Sequence, residues 1–127
     1  MTNPFQDILE RQGVLILDGG LATSLEKRGH SLDPHLWSAK MLIDSPEEIS
    51  AVHHVFLRAG ADCITTASYQ ASYEGFSRFG FDEAGTDELL IRSVTLALDA
   101  VNDFWSDVAR PSSRIRPLVA ASIGPYG

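Results

Sequence analysis

Apolar residues form three short runs along the chain, separated by longer stretches with helical spacing. The first run, "VLIL" at Val14 to Leu17, has no polar alternation, which is typical of a strand buried on both faces of a parallel sheet. The second lies in "ADCITTAS", where Cys63, Ile64 and Thr65 favour extended structure. The third is "LVAASI", residues 118–123. The pattern therefore predicts three buried β-strands.

Helical signals fill the intervals between these runs. "LATSLEKRG" follows "DGG" and ends at Gly29, and a short helical pattern surrounds Trp37 to Ile43. A longer helix is predicted from Ser45, where Ser45 and Glu48 form a capping box, to Gly60.

The last predicted helix is the longest, from about Glu83 to Asp107. Its apolar residues recur at spacings of four and three, which places one stripe on the sheet: Leu90, Val94, Ala97, Val101 and Phe104. The segment "YQASYEGFSRFGF" before it is predicted to be a loop.

The order strand, helices, strand, helices, strand predicts an α/β fold with parallel strands and right-handed crossovers. Three parallel strands alone would leave two apolar edges open, and the last strand has no following helix to cover it. The pattern therefore indicates the opening units of a larger fold.

Composition narrows the function classes. With 44% apolar and 21% charged residues, the 127-residue chain is globular and long enough for one domain. A net charge of -7 without a basic cluster argues against nucleic acid as a partner. No apolar stretch reaches the ~20 residues that span a bilayer, and no signal peptide is recognisable, so a cytoplasmic location is expected. The single cysteine, Cys63, cannot form an internal disulfide or hold zinc by itself.

Ligands of parallel α/β proteins gather where the strands end at their carboxyl termini. The first strand ends in Asp18, Gly19 and Gly20, which combine a carboxylate with two residues that let a ligand approach the backbone. The N–H groups that open the next helix could receive an anion. Alternatively, Asp18 caps that helix and the glycines only turn the chain.

The second strand ends in "TTASYQAS", which offers Thr66, Ser68, Tyr69 and Gln70 as polar contacts. The alternative is an ordinary strand-to-loop transition whose hydroxyl groups bind backbone. Trp37, in "DPHLWSAK", either lines a ligand pocket or packs beside its short helix.

Several familiar catalytic patterns are missing from the sequence. Neither G-x-G-x-x-G nor a phosphate-loop lysine pattern occurs, and no Ser-His-Asp or Cys-His arrangement can be assembled. Cys63 is expected to be a small buried residue. His53 and His54 are adjacent on a helix and point apart, so packing or solvent-facing roles are expected rather than a metal pair.

Read together, the strand ends resemble a known family. "ILDGGLATSLEKRG", "DPHLWSAKMLIDSPEEI", "VHHVFLRAGADCITTASYQASYEGF" and "LVAASIGPYG" are similar, in order and spacing, to the N-terminal part of homocysteine S-methyltransferases. The resemblance runs from about Val14 to Gly127 and is nearest to the branch that uses S-methylmethionine or S-adenosylmethionine as methyl donor.

The resemblance implies a (β/α)8 barrel and a zinc ion that binds homocysteine as a thiolate. Zinc lowers the pKa of the thiol, and the thiolate attacks the methyl carbon of the sulfonium donor to give methionine. It also implies substrate-binding residues. The family's first-strand motif, which holds the amino acid end of homocysteine, falls on Asp18, Gly19 and Gly20; Thr66 lies near the same substrate, and Trp37, Tyr69 and Gln70 form the pocket wall.

The chain also departs from the family pattern. The family's three zinc-binding cysteines come from later strands and have no counterpart here, since Cys63 matches none of them. A barrel needs about 250 residues, and this chain carries three of its eight units. Residues 1–127 are therefore expected to be the N-terminal part of the homocysteine-binding domain, inactive and unable to bind zinc alone. The alternatives are a non-catalytic binding or regulatory module and an unrelated open α/β anion-binding domain.

Overall fold

A computed structural model of the chain describes residues 2–34 and 36–124. Residues 125–127, in the predicted loop after the third strand, lie outside this range. The elements, in chain order, are α1 (Pro4–Gln12), α2 (Leu21–Lys27), a 3-10 turn (Ser38–Lys40), α3 (Met41–Asp44), α4 (Pro46–Ala59), β1 (Cys63–Thr65), α5 (Tyr73–Ser77), α6 (Glu83–Ser106) and β2 (Leu118–Ala120).

A short parallel sheet organises the molecule. β1 and β2 pair in parallel, with Cys63 opposite Leu118 and Thr65 opposite Ala120. On its other side, β1 contacts the segment before α2: the Cys63 N–H donates to the Ile16 carbonyl at 3.2 Å, and the Asp18 N–H donates to the Cys63 carbonyl at 3.0 Å. β1 therefore lies between residues 14–18 and β2, and all three run in the same direction.

The predicted first strand is present only as a single bridge, between Leu17 and Cys63. The N–H of Ile16 donates to the side chain of Asp62, at 2.9 Å, instead of to a neighbouring strand. Val14, Ile16 and Leu17 are each more than half exposed, at 58%, 51% and 60%. The expectation of a strand buried on both faces is therefore not met within the described residues, where nothing covers its outer edge.

The third predicted strand is shorter than expected. It pairs only over Leu118–Ala120, and residues 121–124 continue without a ladder partner among the described residues. Its three paired residues are half-buried rather than buried. The parallel α/β arrangement is thus present, while a sheet of three full strands is not.

Helix α4 begins and ends at the predicted residues, with Ser45 before it and Gly60 after it, but the predicted N-terminal hydrogen bonds are absent. Gly60 has a left-handed backbone (φ 115°), and the Ala61 N–H donates to the Phe56 carbonyl at 3.0 Å, which closes the helix. The predicted capping box is wrong, because the Ser45 side chain makes no capping hydrogen bond. The Glu48 carboxylate instead contacts Arg28 at 2.7 Å and His30 at 3.0 Å.

Helix α6 has the predicted length, and the second half of its predicted stripe is buried, at Ala97, Val101 and Phe104. Its N-terminus is capped by Asp82, whose carboxylate accepts a hydrogen bond from the Gly85 N–H at 2.7 Å. Leu90 and Val94 are only half-buried, whereas Leu89 and Ser93 are buried. The buried stripe is therefore shifted by one residue only in the first half of α6, which packs mainly on α4 and also contacts α3, α5 and β2.

Two apolar clusters stabilise this arrangement. One is built around Leu25, Leu42 and Phe76, and the other holds Ile64 of β1 between α4 and α6. The ring of Phe56 packs against both clusters. It therefore fixes α4 beneath the turn that carries Asp18 and Gly19.

Candidate functional site

One cavity of about 250 Å³ opens at the carboxyl ends of the strands. Five of the seven predicted site residues line it: Gly20, Trp37, Thr66, Tyr69 and Gln70. The remaining wall comes from Leu21, Ala22, Ser38, Thr65, Ala67 and Ser122. Positions far apart in the sequence thus meet where a parallel α/β fold concentrates ligands.

Asp18 lies next to this wall without lining the cavity. Its carboxylate accepts hydrogen bonds from the Thr65 N–H at 2.9 Å and from the Thr65 hydroxyl at 3.2 Å. It does not cap α2, whose N-cap is Gly20 and has no side-chain capping bond. The alternative of Asp18 as a simple helix cap is therefore wrong.

The electrostatics of Asp18 are those of a carboxylate that lacks a cation. Burial raises the pKa of Asp18 above its usual value, and the hydrogen bonds from Thr65 oppose that rise. Across residues 2–34 and 36–124, no lysine, arginine or histidine forms an ion pair with it. An incoming ammonium group would supply the missing opposite charge.

Gly19 does not line the cavity either, but it allows the close approach of the turn to α4. A Cβ at this position would lie 2.8 Å from Cε1 and 3.0 Å from Cζ of Phe56. The second glycine, Gly20, forms part of the cavity wall. The "DGG" turn thus sits directly on the core.

Thr66 is buried, and its hydroxyl is engaged within the protein. Thr66 Oγ1 accepts a hydrogen bond from the Ser122 N–H at 2.9 Å and lies 2.6 Å from Ser68 Oγ. The Ser68 hydroxyl in turn donates to the Ser122 carbonyl at 2.8 Å. Thr66 therefore contributes to the cavity mainly as part of its wall.

Two aromatic side chains stand half-exposed at the cavity, Trp37 at 49% and Tyr69 at 50%. Trp37 has a positive φ (49°, with ψ -131°), a conformation that is unfavourable for a residue with a side chain. Its N–H donates to the Asp33 carbonyl at 2.8 Å, which holds the turn. The fold thus presents an indole ring to the cavity at a conformational cost.

Sequence reasoning missed Thr65 and Ser122 as parts of the site. In the sequence, Thr65 is simply a residue type that favours strands. Its role as the hydrogen-bond donor to Asp18 follows only from the structure, in which β1 lies beside residues 14–18. Ser122 lies in an apolar run, and its contribution is its backbone rather than its side chain. The one available signal was its position near the carboxyl end of the third predicted strand.

The described residues do not fit a zinc ion. Within this part of the chain, no group of three His, Cys, Asp or Glu side chains could hold a metal. Cys63 is buried, as expected, and burial raises the pKa of its thiol, which disfavours the thiolate that a metal needs. His53 is buried, and Nε2 of His54 lies 3.9 Å from Oδ2 of Asp103.

Fold and cavity together define a parallel α/β protein with a cavity at the carboxyl ends of its strands. Comparison with known proteins assigns the chain more narrowly. The model of the family described as Homocysteine S-methyltransferase matches residues 15–127. The chain belongs to the homocysteine S-methyltransferase family.

Its relatives are longer proteins. It is 47% identical to Homocysteine S-methyltransferase YbgG of Bacillus subtilis (98% of this chain, 40% of the relative) and 46% identical to an Escherichia coli Homocysteine S-methyltransferase (98% and 39%). The crystal structure of the E. coli Homocysteine Methyltransferase MmuM, metallated form, superimposes with a TM-score of 0.86 at 45% identity (98% of this chain, 42% of that chain). The chain thus spans about two-fifths of these proteins.

Proposed function

We propose that residues 1–127 form the N-terminal, substrate-binding part of a homocysteine S-methyltransferase domain, as the first three βα units of a (β/α)8 barrel. The cavity shared by Gly20, Trp37, Thr66, Tyr69 and Gln70 carries this proposal, because it brings together residues from three separate segments. The complete polypeptide transfers a methyl group from a sulfonium donor to homocysteine and produces methionine. The chain alone supplies binding groups and no methyl transfer.

Homocysteine binds with its amino acid end at the "DGG" turn. The ammonium group pairs with Asp18, the half-buried carboxylate that lacks a cation among the described residues. Leu21 and Ala22 open α2 and line the cavity, and the first N–H groups of a helix have no partner within it, so these groups are available to bind the carboxylate of the substrate. The sulfur then extends toward the open side of the cavity.

The donor is S-methylmethionine or S-adenosylmethionine, both of which carry a positive sulfur. The faces of Trp37 and Tyr69 attract such a cation, and their half-exposed rings at the cavity support this assignment. In the reaction, a new S–CH₃ bond forms to the homocysteine sulfur as the S–CH₃ bond of the donor breaks. The bonding electrons leave with the donor sulfur as a neutral thioether, and the proton of the homocysteine thiol is released to water.

In this proposal, the zinc ligands lie in the part of the complete polypeptide outside residues 1–127. The E. coli relative has a metallated form, whereas the described part of this chain does not fit the ion. No step of binding proposed for Asp18, Trp37 or Tyr69 passes through a metal. A cytoplasmic location is proposed on the sequence grounds above; no helix within residues 2–34 and 36–124 is both long and apolar enough to cross a membrane.

An activity assay on the complete polypeptide tests this function. Zinc-supplied enzyme is incubated with L-homocysteine and either sulfonium donor, and methionine is quantified by chromatography. Asp18→Asn keeps the size of the side chain and removes its charge. Because hydrogen bonds to charged groups contribute about 1.5–3 kcal/mol, the KM for homocysteine should rise roughly 10- to 100-fold.

Asp103→Asn is the matched control, because Asp103 is an exposed carboxylate on α6 with 75% of its side chain accessible. Its kinetic constants should stay at the wild-type values. Folded wild-type protein that makes no methionine from either donor would contradict methyl transfer. Amino acid binding without turnover would then favour a non-catalytic binding module.

A further inference from the structure

A ring of hydrogen bonds joins the loops that follow β1 and β2. The Ser122 N–H donates to Thr66 Oγ1 (2.9 Å), Thr66 Oγ1 lies 2.6 Å from Ser68 Oγ, and Ser68 Oγ donates to the Ser122 carbonyl (2.8 Å). A hydroxyl has one hydrogen, and that of Ser68 goes to Ser122. Thr66 must therefore donate to Ser68, so that all three bonds run in one direction around the ring.

Ser68 stands behind the cavity wall rather than in it. The wall includes Thr66, Ala67, Tyr69 and Gln70 but not Ser68. Ser68 borders a separate cavity of about 320 Å³ on the side facing α6, together with Ala71, Leu90 and Ile123. A change at Ser68 therefore acts on a ligand in the first cavity only through its neighbours.

A close backbone contact reinforces the same junction. A Cβ at Gly124 would lie 2.0 Å from the Tyr69 carbonyl oxygen, a distance that no side chain can satisfy. The segment after β2 thus rests directly on the residue that precedes Gln70. The ring and this contact together fix the part of the β1 loop that carries Tyr69 and Gln70.

We propose that Ser68 is a positioning residue, which closes a hydrogen-bonded latch through Thr66 and the Ser122 peptide and so holds Tyr69 and Gln70 in place for substrate. This inference rests on the proposed function, because it takes the first cavity as the homocysteine site. It also gives the Thr66 hydroxyl a role within the latch instead of a bond to substrate. Affinity then depends on a side chain that never touches the ligand.

Calorimetric titration of the complete polypeptide with L-homocysteine tests the latch. Loss of one hydrogen bond of ordinary strength should raise the Kd about 3- to 10-fold in Ser68→Ala, while the thermal midpoint shows that the variant is folded. Ser68→Thr retains the hydroxyl and should restore most of the affinity. When Ser68→Ala is added to Thr66→Val, the Kd should rise little further, because both substitutions break the same ring of hydrogen bonds.

Ser77→Ala is the control, since the Ser77 hydroxyl also donates to a backbone carbonyl (Glu74, 2.7 Å) but lies on α5, away from the first cavity. Hydrogen exchange of residues 120–124 gives a second readout, which should accelerate in Ser68→Ala and Thr66→Val. An unchanged Kd in folded Ser68→Ala overturns the latch, even if exchange accelerates. Wild-type binding without methyl transfer overturns only the proposed function, and wild type that binds no homocysteine overturns both.

Discussion

At the scale of single residues, Gly19 makes the sharpest structural prediction. A methyl group at this position would meet the ring of Phe56 at 2.8 Å, and that ring is held by both apolar clusters. Gly19→Ala should therefore lower the free energy of unfolding by about 1–3 kcal/mol, as other overpacked sites do. It should also weaken homocysteine binding, because the turn that carries Asp18 is displaced. Chemical denaturation and calorimetry measure the two effects.

Phe56→Leu provides the control for this substitution. The smaller side chain makes room for the added methyl group. Gly19→Ala should therefore lower the free energy of unfolding by less in the Phe56→Leu background than in wild type. If the two substitutions change the free energy of unfolding additively, the contact between Gly19 and Phe56 does not determine the position of the turn.

The residues of the site were predictable to different degrees. Gly20, Thr66, Tyr69 and Gln70 were singled out as small or polar residues near strand ends, and Trp37 as an aromatic residue beside a short helix. The structure brings all five to one cavity. Thr65 and Ser122 were not singled out, because their contributions are contacts to groups 47 and 56 residues away. The chemical type of a residue follows directly from the sequence. A hydrogen-bond partner that is distant in the sequence depends on how the strands align, which the local sequence does not specify.

At the scale of elements, α4 carries a buried histidine whose titration should affect stability. His53 is 1% exposed, and neither ring nitrogen has a partner among the described residues. Burial, and to a lesser extent the charge of His54, lowers the pKa of His53 from 6.5 to about 4. Below the unfolded pKa the unfolded chain binds the proton more readily than the folded chain, so stability falls as the pH drops from about 6.5 to about 4.

The expected loss from His53 is roughly 3 kcal/mol across that interval. His53→Leu removes the titrating group, so its thermal midpoint should depend less on pH than that of wild type. His54→Gln changes the partly exposed neighbour and should keep most of the wild-type dependence. Equal pH dependence of wild type and His53→Leu would show that the pKa of His53 is not lowered by folding.

Elements with strong local signals were predicted better than those set by tertiary contacts. The end of α4 at Gly60 follows from glycine's freedom at positive φ, and the structure has it there. The start of α4 at Pro46 also agrees with the prediction, but the capping box does not form, because the Glu48 carboxylate binds Arg28 and His30, which no local pattern predicts. Helix α1 was missed although the sequence held its signals: Asn3 as cap, Pro4 in the first turn and Gly13 at the end.

At the scale of the whole molecule, the chain has the features of part of a larger fold. It matches about two-fifths of its curated relatives, and Val14, Ile16, Leu17 and Ile123 are each at least half exposed at the edges of the sheet. In the proposed barrel, later strands and helices cover these side chains and bring the metal-binding residues to the open side of the cavity. The described part contributes the residues that line the cavity.

A crystal structure of the complete polypeptide with bound L-homocysteine would show whether this cavity is the substrate site. We expect the ammonium group within hydrogen-bonding distance of the Asp18 carboxylate, with the ligand in the cavity formed by Gly20, Trp37, Thr66, Tyr69 and Gln70. Homocysteine bound elsewhere, with Asp18 still contacted only by Thr65, would contradict it.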